Sequence, residues 1–176
     1  MKTTDSLLPE QLVEQARKVI DANRKAGRKI AIAESCTGGL VSAALTEIPG
    51  SSDVFEAGYV TYSDASKVSE LKVSSEVVET FGAVSVATAW AMARGALAAS
   101  EADVAVAITG IAGPGGGSEA KPVGTVHIAV ASKDGHEHRK MFWPMPRTMF
   151  KWFASQFALD LLRLFILRRN RPPEVF

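Results

Sequence analysis

Three short apolar runs, each followed by a polar or glycine-rich turn, constrain the fold of this chain more than any other feature. The runs cover residues 29–33, 57–62 and 103–109, and each has the length and composition of a β-strand. Segments with helical periodicity separate them. Strands that alternate with helices are typical of a mostly parallel sheet covered by helices. The sequence therefore predicts an α/β fold, a single-domain α/β/α sandwich with a mixed, mostly parallel sheet.

Helical and hairpin patterns fill the rest of the chain. Helices are predicted at 9–26 and 39–46, after Ser63 or Asp64, after Ser74, at 86–100 behind an N-cap at Ser85, and from Pro146 to near Asn170. Strands at 123–132 and 137–143 flank a turn and predict a hairpin. No repeat or linker separates these elements, so residues 1–176 are expected to form one domain.

The composition excludes several classes of protein. With 47% hydrophobic and 22% charged residues and a net charge of +1, the chain can bury a core and carries no bulk charge for nucleic acid or an anionic membrane. Residues 157–167, the most apolar late stretch, contain Asp160 and Arg163 and are too short to span a bilayer. A single cysteine excludes an intrachain disulfide, and the polar N-terminus lacks a signal core. A cytoplasmic location is expected.

The segment AESCTGGL, residues 33–40, is the strongest candidate for chemistry. Ser35 and Cys36 lie at a predicted strand-to-helix turn and are followed by Thr37, Gly38 and Gly39. Backbone N–H groups at such a turn lack internal partners and carry partial positive charge, so they can stabilise an anion or an oxyanion. The segment alone leaves another interpretation open, in which Ser35 or Thr37 only caps the helix.

The glycine-rich loop at 110–124 follows the third run. It does not match a nucleotide triphosphate loop, because Lys121 precedes Pro122 and a strand follows. Its bare backbone can approach a ligand closely, although a plain surface loop has the same composition. This loop, the 33–40 segment and the segment after residue 62 all follow the carboxyl ends of predicted strands, where open α/β sheets bind ligands.

A serine nucleophile needs a base to accept its proton. Lys67, in the first turns of a predicted helix, can act as that base if burial lowers its pKa, and Tyr62 can relay the proton. A solvated lysine and a core tyrosine are the open alternatives. Cys36 is the rival nucleophile, although without a histidine partner such a cysteine more often packs inward.

Histidine and metal chemistry find little support in the sequence. His127, His136 and His138 all fall in or beside the late hairpin, away from these segments, so a Ser-His-Asp triad is not favoured. No pair of histidines, cysteines or carboxylates near the loops has the spacing of metal ligands. We therefore expect neither a metal nor a cofactor.

Several long stretches resemble the CinA C-terminal domain family, the nicotinamide mononucleotide amidohydrolases also called PncC. They are AESCTGGL, FEAGYVTYSDASKVSEL, FGAVS and ITGIAGPGGGSEAKPVGTVHIA, in that order, and they cover residues 33 to about 130. The resemblance implies hydrolysis of the carboxamide of nicotinamide mononucleotide, giving nicotinic acid mononucleotide and ammonia. It also implies that this protein is the stand-alone form of the family, which lacks the N-terminal half found in longer members.

The same resemblance implies a role for each matching residue. Ser35 would be the nucleophile, and Tyr62 and Lys67 would activate it. Substrate-binding positions would be Cys36, Thr37, Gly38, Gly39, Thr109, Gly110, Ile111, Ala112, Gly113 and Arg147. Backbone N–H groups of 36–39 or 110–113 would hold the oxyanion, and Arg147 is the candidate for the nucleotide phosphate.

One departure from the family keeps a second function open. Asp64 stands where the family usually has asparagine, and a carboxylate near Lys67 favours the charged ammonium over the neutral base. A non-catalytic nucleotide-binding module of the competence or damage-inducible type is therefore an alternative, as is an amidase for another small carboxamide. A small-molecule nucleotide is the expected partner. A homo-oligomer is also expected, because apolar residues cover much of the circumference of the last helix.

Overall fold

A computed structural model describes residues 6–169 and contains one five-stranded sheet. The strands are β1 (Ile30–Glu34), β2 (Phe55–Val60), β3 (Val104–Gly110), β4 (Thr125–Ser132) and β5 (Gly135–Phe142), in the order β2-β1-β3-β4-β5. β1 pairs in parallel with β2 and β3, whereas β4 is antiparallel to β3 and β5. Four strands thus share one direction, which confirms the predicted mixed, mostly parallel sheet.

Helices cover both faces of the sheet, as an α/β/α sandwich requires. They are α1 (Glu10–Lys25), α2 (Leu40–Thr46), α3 (Asp64–Leu71), α4 (Ser75–Phe81), α5 (Val86–Ala98) and α6 (Arg147–Arg169). α1, α2 and α6 pack on one face, and α5 packs on the other with α3 and α4 beside it. Within residues 6–169, no helix combines the length and apolarity needed to cross a membrane.

The two faces of the sheet carry side chains of different size. Alternate residues of β3 such as Val106 and Ile108 face α6, where they meet buried aromatic rings including Phe150. The opposite face is an alanine layer, formed by Ala31, Ala33, Ala105, Ala107, Ala129 and Ala131, and it packs against α5. Because methyl groups are small, α5 lies close to the sheet.

Close packing between helices places α3 beside the sheet. A Cβ at Gly95 of α5 would collide with the carbonyl oxygen of Leu71 at the end of α3, so only glycine fits there. The serine at the other end of α3 caps it, because the Ser63 Oγ accepts from the Ser66 N–H at 3.1 Å. Of the two predicted caps, Ser63 is therefore correct and Asp64 is the first helical residue.

The strand and helix limits differ modestly from those predicted. β2 begins at Phe55 and ends at Val60, because its pairing with β1 ends where Val60 meets Glu34. Tyr62 consequently lies two residues past the strand rather than at its end. β5 begins earlier, at Gly135, which pairs with Ser132 and closes the hairpin. The predicted helix end near Asn170 lies outside the described residues.

Much of the apolar surface of α6 is buried within the chain itself. Phe150, Leu162 and Phe165 are among its fully buried residues, whereas Met149, Phe153 and Leu167 remain exposed. Packing within the chain therefore accounts for most of the apolar residues around α6. The homo-oligomer stays a prediction.

Glu34, at the end of β1, holds the turn that carries Ser35. Its buried carboxylate accepts from the Val41 N–H at 2.9 Å, the Ser42 N–H at 3.0 Å, the Ser42 hydroxyl at 2.7 Å and the Thr37 hydroxyl at 2.7 Å. Glu34 thus accepts hydrogen bonds from N–H groups in the first turn of α2. The N-cap residue, Gly39, has no side chain that could accept them. The interpretation of Ser35 or Thr37 as the helix cap is therefore wrong.

Replacing this carboxylate should weaken the fold. Glu34→Gln keeps the shape of the side chain but turns an amide N–H₂ toward a donor, so we expect a loss of about 2–3 kcal/mol in the free energy of unfolding. Urea denaturation measures the change. Glu14→Gln, at an exposed surface ion pair, is the matched control and should cost less than about 1 kcal/mol. Equal stability of the two variants would contradict this role of Glu34.

His127 of β4 and His138 of β5 lie side by side on the sheet. The Nδ1 of His127 lies 3.0 Å from the Nε2 of His138. Burial, with His138, Lys140 and Lys121 as further causes, lowers the pKa of His127 to about 4. His127 is therefore neutral in the folded protein at neutral pH.

This lowered pKa predicts a loss of stability in mild acid. Between about pH 6.5 and pH 4 the unfolded chain binds a proton that the folded chain does not, so stability falls as the pH falls through that window. The contribution of His127 from pH 7 to pH 5 is about 2 kcal/mol. Urea denaturation at both pH values should show a smaller drop for His127→Gln than for the unsubstituted protein. An identical drop would assign the acid sensitivity to other groups.

Candidate active site

The three segments singled out in the sequence meet at one edge of the sheet. They follow β1, β2 and β3, and together they border a cleft of about 270 Å³. The predicted residues that line it are Ser35, Cys36, Tyr62, Lys67, Thr109, Gly110, Ile111, Ala112, Gly113 and Arg147. Thr37, Gly38 and Gly39 belong to the adjoining turn and are not part of the lining. The shared edge follows from the parallel strands β2, β1 and β3.

Lys67 lies directly beside Ser35. Its side chain is only 1% exposed, and its Nζ donates to the Ser35 Oγ at 3.2 Å. The same Nζ donates to the carbonyl oxygens of Thr61 at 3.0 Å and Tyr62 at 3.2 Å. α3 supplies the lysine, and the turn between β2 and α3 supplies the carbonyls. This arrangement fixes the amine within reach of the serine hydroxyl.

Two opposing effects set the protonation of Lys67. Burial lowers the pKa of its amine, and the Asp64 carboxylate, 3.8 Å from the Nζ, raises it. Burial is the larger of the two effects. Because the Asp64 side chain is 62% exposed, water screens its charge. The net direction favours the neutral amine, which is the form that can accept a proton.

Cys36 is buried as well, and burial makes its thiol less reactive. It is buried in the core cluster beneath α2 and α6, and burial raises the pKa of its thiol to about 12. At neutral pH the thiol is therefore protonated and weakly nucleophilic. Of the two neighbouring candidates, Ser35 is the one that contacts a base.

The Tyr62 side chain points away from the Ser35–Lys67 contact and toward α6. Its hydroxyl accepts from the Arg147 guanidinium at 2.9 Å, and the same guanidinium donates to the Gly113 carbonyl at 2.8 Å. The three residues form a bridge across the mouth of the cleft. Tyr62 meets Lys67 through its backbone carbonyl, so a proton can pass between Ser35 and Lys67 without the tyrosine hydroxyl.

Some of the backbone amides expected to face a substrate have partners in the protein. The Gly38 N–H donates to the Ser35 carbonyl at 3.0 Å, and the Ile111 N–H donates to the Thr125 carbonyl at 2.9 Å. Within residues 6–169, the backbone N–H groups of Cys36, Thr37, Gly39, Ala112 and Gly113 have no protein acceptor. Of these, Cys36, Ala112 and Gly113 line the cleft and are therefore candidate donors to an oxyanion.

The glycine-rich loop is fixed at both of its ends. The Gly124 N–H donates to the Ile111 carbonyl at 2.8 Å. Gly113 has a φ of +78°, and a Cβ there would collide with the Val123 side chain. Glycine is thus required at the point where the loop turns along the cleft.

Two features of the site were missed in the sequence. The first is a part of the cleft wall: the Thr109 hydroxyl donates to the Ala83 carbonyl at 2.8 Å, which brings Ala83 and Val84 to the cleft. Their segment, FGAVS, belongs to the resembling stretches but offers no polar side chain that lines the site. The second is the role of Glu34, for which its place next to Ser35 was the only signal.

The remaining titratable groups lie elsewhere. All three histidines are on β4 or β5 and none lines the cleft, as the sequence predicts. The part of the chain that the structure describes holds no cluster of three or more His, Cys, Asp or Glu side chains suited to a metal ion.

Relatives of known sequence share most of this chain. A CinA-like protein from Akkermansia muciniphila is 50% identical over 145 residues, which are 82% of this chain and 34% of the relative. A CinA-like protein from Colwellia psychrerythraea is 50% identical over 135 residues, 77% of this chain and 31% of the relative. The chain thus spans about a third of the length of these curated relatives.

A solved structure and a family model agree with the sequence matches. The crystal structure of the competence/damage inducible protein CihA from Agrobacterium tumefaciens superposes with a TM-score of 0.87 at 46% identity, covering 92% of this chain and 99% of that one. The model of the CinA C-terminal domain matches residues 12–166. This chain therefore belongs to the CinA C-terminal domain family.

Proposed function

We propose that the protein is a nicotinamide-nucleotide amidase, which hydrolyses the carboxamide of nicotinamide mononucleotide through an acyl-enzyme on Ser35. The observation that carries the proposal is the buried Lys67 amine 3.2 Å from the Ser35 hydroxyl, inside a cleft. The names of the relatives refer to competence and damage induction and to no reaction. The choice of an amide as substrate rests on the family resemblance together with this pair of residues.

In the first half-reaction, neutral Lys67 accepts the Ser35 proton while the Oγ attacks the carboxamide carbon. The carbonyl oxygen becomes an oxyanion, which the Cys36, Ala112 or Gly113 N–H groups can stabilise. The intermediate then collapses, the C–N bond breaks, and Lys67 returns its proton to the leaving nitrogen. Ammonia departs and the acyl group remains on Ser35 as an ester.

In the second half-reaction, water attacks the ester carbon and Lys67 accepts a proton from it. The second tetrahedral intermediate expels the Ser35 Oγ, which recovers its proton from Lys67. The products are nicotinic acid mononucleotide and regenerated enzyme. Lys67 therefore serves in turn as base and acid, and the carbonyls of Thr61 and Tyr62 keep its Nζ at one position throughout.

Recognition of the nucleotide phosphate falls to the mouth of the cleft. Arg147 begins α6, and within residues 6–169 no carboxylate forms an ion pair with it. Its two hydrogen bonds go to neutral oxygens, so its charge is available to an anion. A volume of about 270 Å³ suits a small ligand rather than a dinucleotide.

Asp64 supports a second candidate function, a nucleotide-binding module without catalysis. Its carboxylate 3.8 Å from the Lys67 Nζ favours the ammonium, which cannot act as a base. We favour the enzyme because burial outweighs this charge at Lys67. An amidase for another small carboxamide would differ from the nicotinamide-nucleotide amidase only in its substrate.

Ser35→Ala should reduce amide hydrolysis by at least about 1,000-fold, because no other cleft residue offers an activated nucleophile. Cys36→Ala should retain most of the activity, since its protonated thiol takes no part. The measurement is ammonia and nicotinic acid mononucleotide released from nicotinamide mononucleotide. The reverse pattern would overturn the serine assignment. Absence of release by the unsubstituted protein, despite binding, would favour the non-catalytic module, and faster release from free nicotinamide would favour a different amide.

Asp64→Asn should shift the acidic limb of the pH–rate profile to lower pH. Activity requires neutral Lys67 and so rises as the pH passes upward through the pKa of its amine. Removing the nearby carboxylate lowers that pKa, and we expect a shift of up to about one pH unit. Glu70→Gln, which removes an exposed carboxylate from the same helix, is the control and should leave the profile in place. A shift to higher pH would contradict the role of Lys67 as base.

A further inference from the structure

A second and larger cleft lies at the opposite end of the sheet. Its volume is about 590 Å³, within the range of sites for small molecules. Asp103, just before β3, and Ser132, the last residue of β4, lie at its border. Because β3 runs its full length between the two clefts, they are about 20 Å apart. The second cleft shares no lining residue with the first.

The cleft exists because the sheet extends beyond the helix that covers it. α5 packs over the alanines of β1, β3 and β4. α5 contacts β5 much less extensively than it contacts β3 and β4, and His136 of β5 remains exposed beside α5. The space between that strand and the side of α5 forms the cleft.

Aromatic and apolar groups line its walls. The Trp90 and His136 rings meet with their centroids 4.3 Å apart and their planes tilted by 54°. Leu97 of α5 and Ala131 of β4 add aliphatic surface. Trp90 is only partly buried, so its indole ring can still contact a ligand. Such a wall suits a planar ring that stacks on one side.

Two positively charged side chains lie near these rings. Arg94, one helical turn after Trp90, holds its guanidinium carbon 5.9 Å from the indole centroid. Lys133 lies on the opposite side, at the β4–β5 turn. Over residues 6–169, neither cation forms an ion pair with a carboxylate. The lining carboxylate, Asp103, accepts from the Lys29 N–H at 2.8 Å.

We propose that this cleft is a second binding site, for a nucleotide. A planar ring stacked on Trp90 and a phosphate held by Arg94 and Lys133 would use each feature of the cleft. An apolar ligand would leave the two cations without a partner, and a bare inorganic anion would leave the aromatic wall unused. Within residues 6–169, the Ser132 hydroxyl at this cleft donates to the Gly135 carbonyl and contacts no buried amine of the kind that Lys67 offers to Ser35. We therefore assign the cleft to binding without reaction, as in an effector site.

Calorimetric titration with adenosine monophosphate tests the site. We expect saturable binding, with weaker binding of adenosine, which lacks the anion, and of inorganic phosphate, which lacks the ring. Arg94→Gln should weaken the affinity about tenfold, as expected for one lost charge-assisted contact. Arg17→Gln, an exposed arginine on α1, is the matched control and should bind as the unsubstituted protein does. Trp90→Leu should also weaken binding, and circular dichroism checks that each variant is folded.

The result separates this cleft from the candidate active site. Binding that is unchanged by Arg94→Gln but weakened by Arg147→Gln would place the nucleotide in the Ser35 cleft and overturn the proposal. Absence of saturable binding would overturn it as well. The titration measures affinity alone, so its outcome does not depend on whether the protein hydrolyses an amide.

Discussion

A buried carboxylate at the end of the central strand is the interaction on which the candidate active site depends. Glu34 joins β1 to the first amides of α2 and to the Thr37 hydroxyl, and the five residues between them form the turn that carries Ser35. A buried carboxylate is stable only when its oxygens are fully bonded, so this turn has little freedom to rearrange. The position of Ser35, the proposed nucleophile, therefore depends on Glu34, which does not line the cleft.

Lys67 illustrates how packing between helices produces chemistry. An exposed lysine on a helix would remain charged at neutral pH. Here α3 is held against α5 by the glycine contact at Gly95, and this brings the lysine side chain inside the protein. Burial favours the neutral amine, and the surrounding carbonyls orient it toward Ser35. The role proposed for Lys67 thus depends on its burial in the fold more than on the residue type.

The sequence was sufficient to predict the architecture and the place of the cleft, because alternating strands and helices bring their connecting turns to one edge. It was insufficient for contacts that depend on side-chain direction. Tyr62 and Lys67 are close in sequence, yet the tyrosine hydroxyl meets Arg147, 85 positions away, while the lysine amine meets Ser35. The bonds of Glu34 likewise join a strand to the following helix, which no local propensity encodes.

The alanine layer beneath α5 connects the position of that helix to the shape of the candidate active-site cleft. Its methyl groups set the spacing between the sheet and α5, and the segment that leads into α5 contains Ala83, which Thr109 holds at the cleft wall. A bulkier side chain anywhere in that layer would lift the helix and carry this wall with it. The shape of the candidate active-site cleft therefore depends on the smallest side chains of the core, although none of these alanines lines that cleft.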